Sequence, residues 1–382
     1  ENEFQIQSVL NSLWSTLRQA IANSRNLNED NVDSIAETLG ASLPEEALSQ
    51  KLIDGLNYEN EVEDKIRTRL GLEADDEINW VSPQQMARTI PAYNKKIKDR
   101  VAIIFANGNI LYGEGSNTYI AQAKFVEAID DAAQDAWVKA IVLRINSPGG
   151  SALTSEIIWE ALERAKAKKP LIVSMGNVAA SGGYYLAAPA HQIFADPLSI
   201  TGSIGVFAIL PNVHQLSENI GVNADQVQTH TNAAGYSSFE PLSDNFRAYV
   251  QKNIRKIYST FKERVAAGRN LSLEKVESLA QGRVWSGKEA LANGLVDTLG
   301  GLEEAITAAA SQANLEEYNR IAYPQWDQDL ESIINKMIPT AKYEGLSKIL
   351  SHFGIEQTFT NQPQKPISNS FKTQLPFSLK ID

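Results

Sequence analysis

A lone serine among small residues is the first candidate for chemistry. The segment GNVAASGGYY, residues 176–185, holds Ser181 between alanines and glycines, so no large side chain beside it covers the hydroxyl. The segment follows a predicted strand and opens a predicted helix, which would put this hydroxyl in the positive potential of a helix N-terminus. The N–H of Gly182 would point to the place where a tetrahedral oxyanion forms. These features suit a serine nucleophile, although a small-residue helix packed against a sheet has the same composition.

A pair of glycines marks a second candidate. The segment NSPGGS, residues 146–151, stands where another predicted strand ends and a helix begins, and ligands of α/β folds collect at strand ends. Gly149 and Gly150 let the backbone turn sharply and expose the N–H groups that an oxyanion needs. A structural turn without a ligand explains this motif alone equally well. Together with Ser181, the motif predicts one site that combines a nucleophile with hydrogen-bond donors.

The base that such a serine requires is not evident in the sequence. A third motif, TGSIG at residues 201–205, offers only the hydroxyl of Ser203, and an ordinary polar turn before an apolar run explains it as well. His191 follows Ser181 by ten residues and is predicted at the far end of the same helix, and His214 and His230 have no flanking pattern. No lysine occurs from residue 171 to residue 251. If the base is a lysine, it lies outside this segment.

The elements that must position these motifs alternate between strand and helix. Short β-branched runs that predict buried strands stand at residues 101–106, 140–145 and 171–174. Apolar residues at helical spacing predict helices at residues 120–133 and 154–167, and further helices at 244–264 and 273–281. This alternation favours right-handed βαβ crossovers. The predicted fold class is therefore α/β, with repeated βαβ units, a mostly parallel sheet and appended helices.

Two stretches of the chain are similar to each other. Residues 25–36 match residues 269–280 at six of twelve positions, and residues 45–56 match residues 288–299 at six of twelve. Two helical hairpins that converged on common helix formers are the alternative explanation. We interpret the match as an internal repeat whose first copy is present only as its helical end.

The repeat predicts four regions in the chain. Residues 1–71 are the helical end of a truncated first repeat, and residues 72–100, with two prolines and an acidic run before a basic one, are a connector. Residues 101–310 are the complete second repeat, which carries Ser181. Residues 311–382 are a C-terminal extension, and its last part, 356–382, is rich in Pro, Asn, Gln and Ser and is predicted to be a mobile tail.

Composition excludes several classes of protein. The net charge of −11 argues against nonspecific nucleic-acid binding, because the chain repels phosphate backbones at long range. The absence of Cys excludes disulfides, iron–sulfur clusters and thiolate zinc sites, and the four His have no metal-ligand spacing, so neither a metal nor another cofactor is expected. The longest apolar runs are much shorter than the roughly 18 residues that cross a bilayer, so we expect this chain by itself to be soluble.

The motifs quoted above resemble the ClpP/crotonase superfamily, and within it the signal peptide peptidase A (SppA) family, serine peptidase family S49, in its long two-repeat form. The resemblance covers nearly all of residues 1–310, and its most specific matches are RINSPGG at 144–150, MGNVAASGG at 175–183, TGSIG at 201–205 and GLVD at 294–297. It implies a ClpP/crotonase-like fold and a serine endopeptidase with a Ser/Lys dyad. The roles it implies are a nucleophile at Ser181, a hydroxyl that orients the lysine at Ser203, and an oxyanion hole at Gly182, Gly149 and Gly150.

The lysine departs from the pattern of the family's single-repeat members. In those members it follows the next strand, in the region that reads THTNAAGY at residues 229–236 here, where no lysine stands. In long members the lysine comes from the first repeat and the serine from the second, so the resemblance implies a split site whose base is absent from this chain. The Ser-His-Asp triad of ClpP is disfavoured, because the segment that would carry its histidine reads TGSIG at residues 201–205.

The resemblance also implies partners and a location. Its members degrade cleaved signal peptides and unfolded segments of membrane proteins. They form homotetramers and are anchored by an N-terminal helix, absent here, at the outer, periplasmic face of the bacterial inner membrane. Two alternatives stay open. The first is a noncatalytic peptide-binding or scaffold protein of the same fold, and the second is a crotonase-type acyl-CoA enzyme, which would want a basic nucleotide-binding patch that the sequence does not show.

Overall fold

Strands and helices alternate through the middle of the chain. The computed structural model describes residues 2–83, 85–86, 93–230, 232–233, 235–324 and 372–374. The predicted mobile tail, apart from residues 372–374, lies outside these residues, as does His352. The helices are α1 Asn2–Arg25, α2 Glu29–Glu37, α3 Pro44–Ser49, α4 Glu59–Leu70, α5 Gln122–Gln134, α6 Ala152–Lys166, α7 Gly182–Ala187, α8 His214–Asn219, α9 Asp244–Arg269, α10 Leu273–Leu279, α11 Gly287–Asn293 and α12 Leu302–Gln312.

A mostly parallel sheet forms the centre of this part of the chain. The strands are β1 Arg100–Asn107, β2 Asn109–Ile110, β3 Tyr119–Ile120, β4 Val138–Ser147, β5 Gly149–Ser151, β6 Leu171–Ala180, β7 Gln192–Ala195, β8 Ile200–Gly202, β9 Val284–Ser286, β10 Thr298–Leu299, β11 Asn319–Tyr323 and β12 Lys372–Gln374. The main sheet has the order β10-β7-β6-β4-β1-β11, and β8 pairs with the last residues of β6 and, antiparallel, with β9. The predicted α/β class with a mostly parallel sheet is confirmed.

Apolar side chains cover both faces of the main sheet, because successive positions along a strand point to opposite sides. On one face, Leu143 and Val173 lie in the cluster to which α5 and α6 contribute. On the other face, Val142 and Ile172 lie in the cluster to which α12 contributes. All four side chains are fully buried, and burial of each stabilises the fold by about 1.5–3 kcal/mol. This core holds the strand ends that carry the candidate motifs.

A second, small sheet lies beside the carboxyl end of the main one. Its order is β12-β5-β2-β3, with β5 parallel to β2 through Ile110 and Gly150. On its other edge β5 pairs antiparallel with β12, and the register joins Lys372 to Ser151 and Gln374 to Gly149. The two glycines of the NSPGGS motif therefore belong to a strand, β5, whose outer edge pairs with an extended segment of the same chain.

The two repeated stretches form the same contacts. Arg25 at the end of α1 pairs with Asp54, at 2.9 Å, and Arg269 at the end of α9 pairs with Asp297. The residue after each of these arginines is an Asn with φ of 52°. Asp297 also accepts a hydrogen bond from the N–H of Ile193, at 2.7 Å, which ties the second hairpin to β7. The side chain of Asp54, by contrast, is 92% exposed.

The N-terminal helix packs against the edge of the main sheet. Ser12 Oγ lies 2.6 Å from Ser286 Oγ on β9, and Ser8 donates to Glu289, at 2.7 Å. Val9 packs with residues of β8 and β9. Within the ranges given above, no helix combines the length and the hydrophobicity that a membrane crossing needs. Helix α1 therefore packs against both β9 and β8, and β8 leads to Ser203.

Candidate active site

Ser181 occupies a strained turn between β6 and α7. Its φ of 54° and ψ of −117° lie in a region that L residues other than glycine rarely adopt. Two backbone hydrogen bonds hold the turn: Ser181 N–H donates to Gly202 O, at 2.8 Å, and Tyr185 N–H donates to Ser181 O, at 2.9 Å. Such strain persists only where surrounding contacts enforce it, and it is concentrated at functional sites.

The hydroxyl of Ser181 is buried and unpaired. The residue is 1% exposed, and its Oγ has no hydrogen-bond partner among the residues that the structure describes. The sequence-based expectation that this hydroxyl is left uncovered is therefore wrong, because burial depends on the whole fold and not on the small neighbours in sequence. It precedes α7 but does not cap it. Burying an unpaired hydroxyl costs about 1–3 kcal/mol, so an Ala at this position would be the more stable choice. The serine is therefore explained by what its oxygen can do and not by packing.

Helix α7 begins against the end of β4. A Cβ on Gly183 would lie 2.7 Å from Ser147 O, so only glycine allows this approach. Gly182 is the first residue of α7, and its N–H has no acceptor within the helix. Because this N–H lies next to Ser181, it could donate a hydrogen bond to an oxyanion that forms when the Ser181 oxygen attacks a carbonyl group.

The glycine turn before α6 lies beside Ser181. Ser147 on β4 is paired with Ala179 on β6, and the turn and Ser181 follow these two residues. Gly149 has φ of 98°, and its N–H donates to Ser147 Oγ, at 3.1 Å. A Cβ on Gly150 would lie 2.0 Å from the Ile110 carbonyl oxygen of β2. The structure thus brings Gly149, Gly150 and Gly182 to one edge. Because the Gly149 N–H already donates to Ser147 Oγ, it would have to leave that oxygen to serve an oxyanion, and the role of the three glycines as an oxyanion hole stays a prediction.

Ser203 is brought beside Ser181 by strand register. Ala180 of β6 is paired with Gly202 of β8, so the two serines are the next residues on adjacent parallel strands. Ser203 is 2% exposed, has φ of 49°, and donates its N–H to Arg283 O, at 2.7 Å. Its role as the group that orients a lysine stays a prediction.

The local histidines do not reach Ser181. The prediction that His191 ends the same helix is wrong, because α7 stops at Ala187 and Pro189 cannot continue it. His191 instead accepts a hydrogen bond from Leu171 N–H at the start of β6, at 3.0 Å, which is about 30 Å along the strand from Ser181. Burial lowers the pKa of His191.

The contacts that the structure describes for His214 and His230 are with residues other than Ser181. His214 pairs with Phe239 O and Glu218, and the His230 ring lies 3.1 Å from the hydroxyl of the neighbouring Thr229. Within the described part of the chain, no group of three or more His, Cys, Asp or Glu side chains could hold a metal ion. Among the described residues, the arrangement therefore brings the Ser181 hydroxyl and backbone N–H donors together, and no side chain hydrogen-bonds to that hydroxyl.

Two features of the site were not predicted from the sequence. Ser147 is not among the residues that the motifs predict to act in the site, yet its Oγ accepts a hydrogen bond from Gly149 N–H and its carbonyl oxygen lies against Gly183 of α7. The position of Ser147, between a strand end and two glycines, is the sequence feature that could have indicated its role in holding the turn. The pairing of β12 with β5 joins residues more than two hundred positions apart, and no sequence pattern around residues 372–374 indicates it.

Comparison with known proteins points to peptidases. The model of peptidase family S49 matches residues 163–316, and that of Clp protease matches residues 85–199. Protease 4 of Salmonella typhi is 34% identical over 86% of this chain and 54% of that protein. Serine protease SPPA, chloroplastic, of Arabidopsis thaliana is 31% identical over 82% of this chain and 47% of that protein. The chain thus spans about half the length of these two relatives.

A shorter relative is covered more completely. The putative signal peptide peptidase SppA of Enterococcus faecium is 34% identical over 61% of this chain and 68% of that protein. The S49 match includes Ser181 and Ser203, and the Clp protease match includes Gly149, Gly150 and Ser181. Both family matches therefore fall on the strand ends where the candidate motifs meet.

Proposed function

The chain belongs to peptidase family S49, and from that premise we propose that the protein is a serine endopeptidase with Ser181 as its nucleophile. The observation that carries the proposal is the Ser181 hydroxyl, which is buried, strained and without a partner in the described part of the chain. An unsatisfied buried group in a sterically costly conformation calls for a reason other than stability. A reactive oxygen on a sharp strand-to-helix turn supplies that reason.

The general base in this proposal is a lysine from outside this chain. Ser203, the neighbour of Ser181 across the strand pair, would orient its amine. The contact between α1 and β9 supports this assignment, because a repeat that precedes α1 would approach the sheet next to β8. A lysine can take a proton near pH 7 only when burial lowers its pKa, and the closed surroundings of Ser181 favour such burial.

The surface of the N-terminal hairpin supports a preceding repeat as well. Ile53 is 37% exposed, whereas Val296, its counterpart in the second hairpin, is 2% exposed because it packs in the core. The Asp54 side chain is 92% exposed, whereas Asp297, its counterpart, accepts a hydrogen bond from β7 and is 33% exposed. A sheet equivalent to the one that covers the second hairpin would bury Ile53 and contact Asp54.

The proposed reaction proceeds through an acyl-enzyme. As Ser181 Oγ bonds to the peptide carbonyl carbon, its proton moves to the neutral lysine, and the carbonyl oxygen becomes an oxyanion near the Gly182 N–H. The lysine then gives the proton to the leaving amine while the C–N bond breaks, which leaves an ester on Ser181. Water that the same lysine deprotonates attacks the ester and restores the hydroxyl.

Extended peptides are the proposed substrates. The outer edge of β5 pairs with β12, which supports the ability of this edge to bind an extended segment through backbone hydrogen bonds. Because such bonds are independent of sequence, they suit cleaved signal peptides and unfolded segments of membrane proteins. Nucleic acid is not proposed as a partner, given the net charge of −11.

Assembly and location complete the proposal. We propose a homo-oligomer, a tetramer by resemblance, held at the outer face of a bacterial inner membrane by a segment outside this chain. Exposed apolar side chains on α1, namely Phe4, Ile6 and Leu10, support contacts with further protein, since they are between 50% and 79% exposed.

Peptide cleavage tests the proposed function. A quenched fluorescent peptide with the apolar core of a signal peptide is incubated with this chain and with the protein extended by the repeat that precedes it. We expect cleavage only by the extended protein, and loss of at least about 10³-fold in Ser181→Ala. The matched control is Ser199→Ala, a buried serine whose hydroxyl donates to Gly176 O, at 2.5 Å.

Two results would overturn parts of this account. Cleavage by the short chain would mean a base within it and no split site. No cleavage by either protein, with the peptide still bound, would favour the noncatalytic peptide-binding alternative, since the chain would then hold the fold and the β5 edge without turnover.

A further inference from the structure

The two halves of the proposed oxyanion hole come from different helix ends. Gly149 and Gly150 lie just before α6, and Gly182 begins α7. Donors that stabilise a transition state must be held within about 0.5 Å of their working positions. The contacts that fix α6 relative to α7 are therefore part of what the site requires.

One carboxylate joins these helices close to the site. Glu156 lies on α6, and its Oε2 accepts a hydrogen bond from the Tyr185 hydroxyl on α7. Tyr185 is one turn beyond Ser181, and its N–H donates to Ser181 O, at 2.9 Å. On the α6 side, the Ser155 hydroxyl donates to Ser151 O, at 2.9 Å, at the end of β5. The Glu156–Tyr185 bond thus links the backbone on both sides of the proposed hole.

A third helix holds the carboxylate in place. Arg264 of α9 donates to Glu156 Oε1, at 2.7 Å, so each carboxylate oxygen has its own partner. The Arg264 guanidinium lies 3.7 Å from the centre of the Trp159 ring, and the Phe261 ring lies 4.7 Å from that of Tyr185. Burial raises the pKa of Tyr185 and Glu156 raises it further, so the phenol stays a donor over the accessible pH range.

We propose that Glu156 is a positioning residue for the Ser181 site, acting through Tyr185 and held by Arg264. It touches neither substrate nor reacting atoms. Its bond to Tyr185 fixes the start of α7, with Ser181 and Gly182, relative to the glycine turn that precedes α6. This role rests on the proposed function, because it concerns the geometry of that reaction. The competing explanation is that the contacts of Glu156 only stabilise the fold and do not affect the geometry of the site.

The test compares four variants of the extended protein: Glu156→Ala, Glu156→Gln, Tyr185→Phe and the control Glu160→Ala. Glu160 lies one turn further along α6 and also pairs with an arginine, Arg164, but its contact is exposed and does not reach α7. The rate of Ser181 phosphonylation by a fluorophosphonate is followed by intact mass. Affinity for an extended peptide is measured by fluorescence anisotropy in the Ser181→Ala background.

The expected result separates reaction from binding. A displacement of about 1 Å costs about 10²-fold in rate, so Glu156→Ala and Tyr185→Phe should label about 10²-fold more slowly while the peptide Kd changes less than about threefold. Glu156→Gln keeps an acceptor oxygen for Tyr185, so it should recover to within about tenfold of the parent rate. Glu160→Ala should label at the parent rate.

Hydrogen exchange supplies a readout that does not depend on catalysis. In Glu156→Ala, amide exchange should rise in residues 147–151 and 182–185 and stay unchanged in β1. If labelling is unchanged in all variants, or if exchange rises throughout the sheet, the positioning role is overturned. If the parent protein is not labelled at all, the proposed nucleophile fails instead, and the exchange pattern still decides whether Glu156 couples the two segments.

Discussion

The unpaired hydroxyl of Ser181 predicts that removing it stabilises this chain. Ala at position 181 keeps the same backbone conformation, so the strain of φ 54° remains and cancels in the comparison. What changes is the desolvation cost of a buried hydroxyl with no partner in the described part of the chain, about 1–3 kcal/mol. We therefore expect Ser181→Ala to raise the free energy of unfolding by about 1–2 kcal/mol.

Thermal and urea unfolding of this chain measure the effect. For a domain of this size a gain of 1 kcal/mol corresponds to about 2–4 °C in Tm. Ser199→Ala is the matched control, because its hydroxyl is equally buried but donates to Gly176 O, and its loss should lower stability by about 1 kcal/mol. If Ser181→Ala lowers stability as Ser199→Ala does, the Ser181 hydroxyl contributes to the fold and the argument for a reactive role is refuted.

Three further predictions follow from the same contacts. Gly150→Ala should lower the free energy of unfolding by about 2 kcal/mol or more, because its Cβ would collide with the β2 backbone. Gly113→Ala, at a similar φ of 142° but in open space, should cost less than half as much, and equal losses in urea unfolding would contradict this. The hydrogen bond from Lys262 is the main reason that the pKa of Glu277 is lower in the folded chain than in the unfolded chain. The ionised carboxylate therefore stabilises the fold above its unfolded pKa, and this stabilisation is lost as pH falls through the folded pKa. Urea midpoints from pH 6 to pH 2 should thus decline less in Glu277→Gln than in the parent, and parallel curves would argue against this. Deleting residues 372–382 removes β12, which occupies the edge of β5 proposed to bind the peptide. Because this edge can pair with only one strand at a time, the deletion should raise affinity for an extended peptide in anisotropy titrations. An unchanged Kd would show that the peptide binds elsewhere.

Local sequence patterns were sufficient for the architecture. β-Branched runs separated by helical periodicity predict a parallel sheet because both faces of each strand must be buried. The predicted strand at 101–106 is observed as Arg100–Asn107, and the predicted helix at 244–264 continues to Arg269. The predicted third strand ends at residue 174, but the observed strand continues to Ala180. Gly, Asn and Ala weaken the strand signal in residues 175–180, which nevertheless pair with β4 and with β8.

The site was predictable where a motif is contiguous and unpredictable where pairing is long-range. Ser181 and the glycine turn could be found because bare hydroxyls and paired glycines are visible in the sequence. The adjacency of Ser203 depends on the register of β8 with β6, and the Glu156–Tyr185 bond depends on how α6 packs against α7. Neither of these two contacts can be read from the spacing of residues along the sequence. The predicted position of His191 is wrong because Pro189 cannot continue the short helix that follows Ser181.

Mapped labelling of Ser181 tests the central claim most directly. The protein extended by the proposed preceding repeat is treated with a fluorophosphonate, and tandem mass spectrometry locates the new phosphorus–oxygen bond formed as fluoride leaves. We predict one adduct, on Ser181, that is absent from Ser181→Ala and absent from the short chain, because the proposed base lies outside it. An adduct on another residue, or no adduct in the extended protein while it still cleaves peptides, would contradict it.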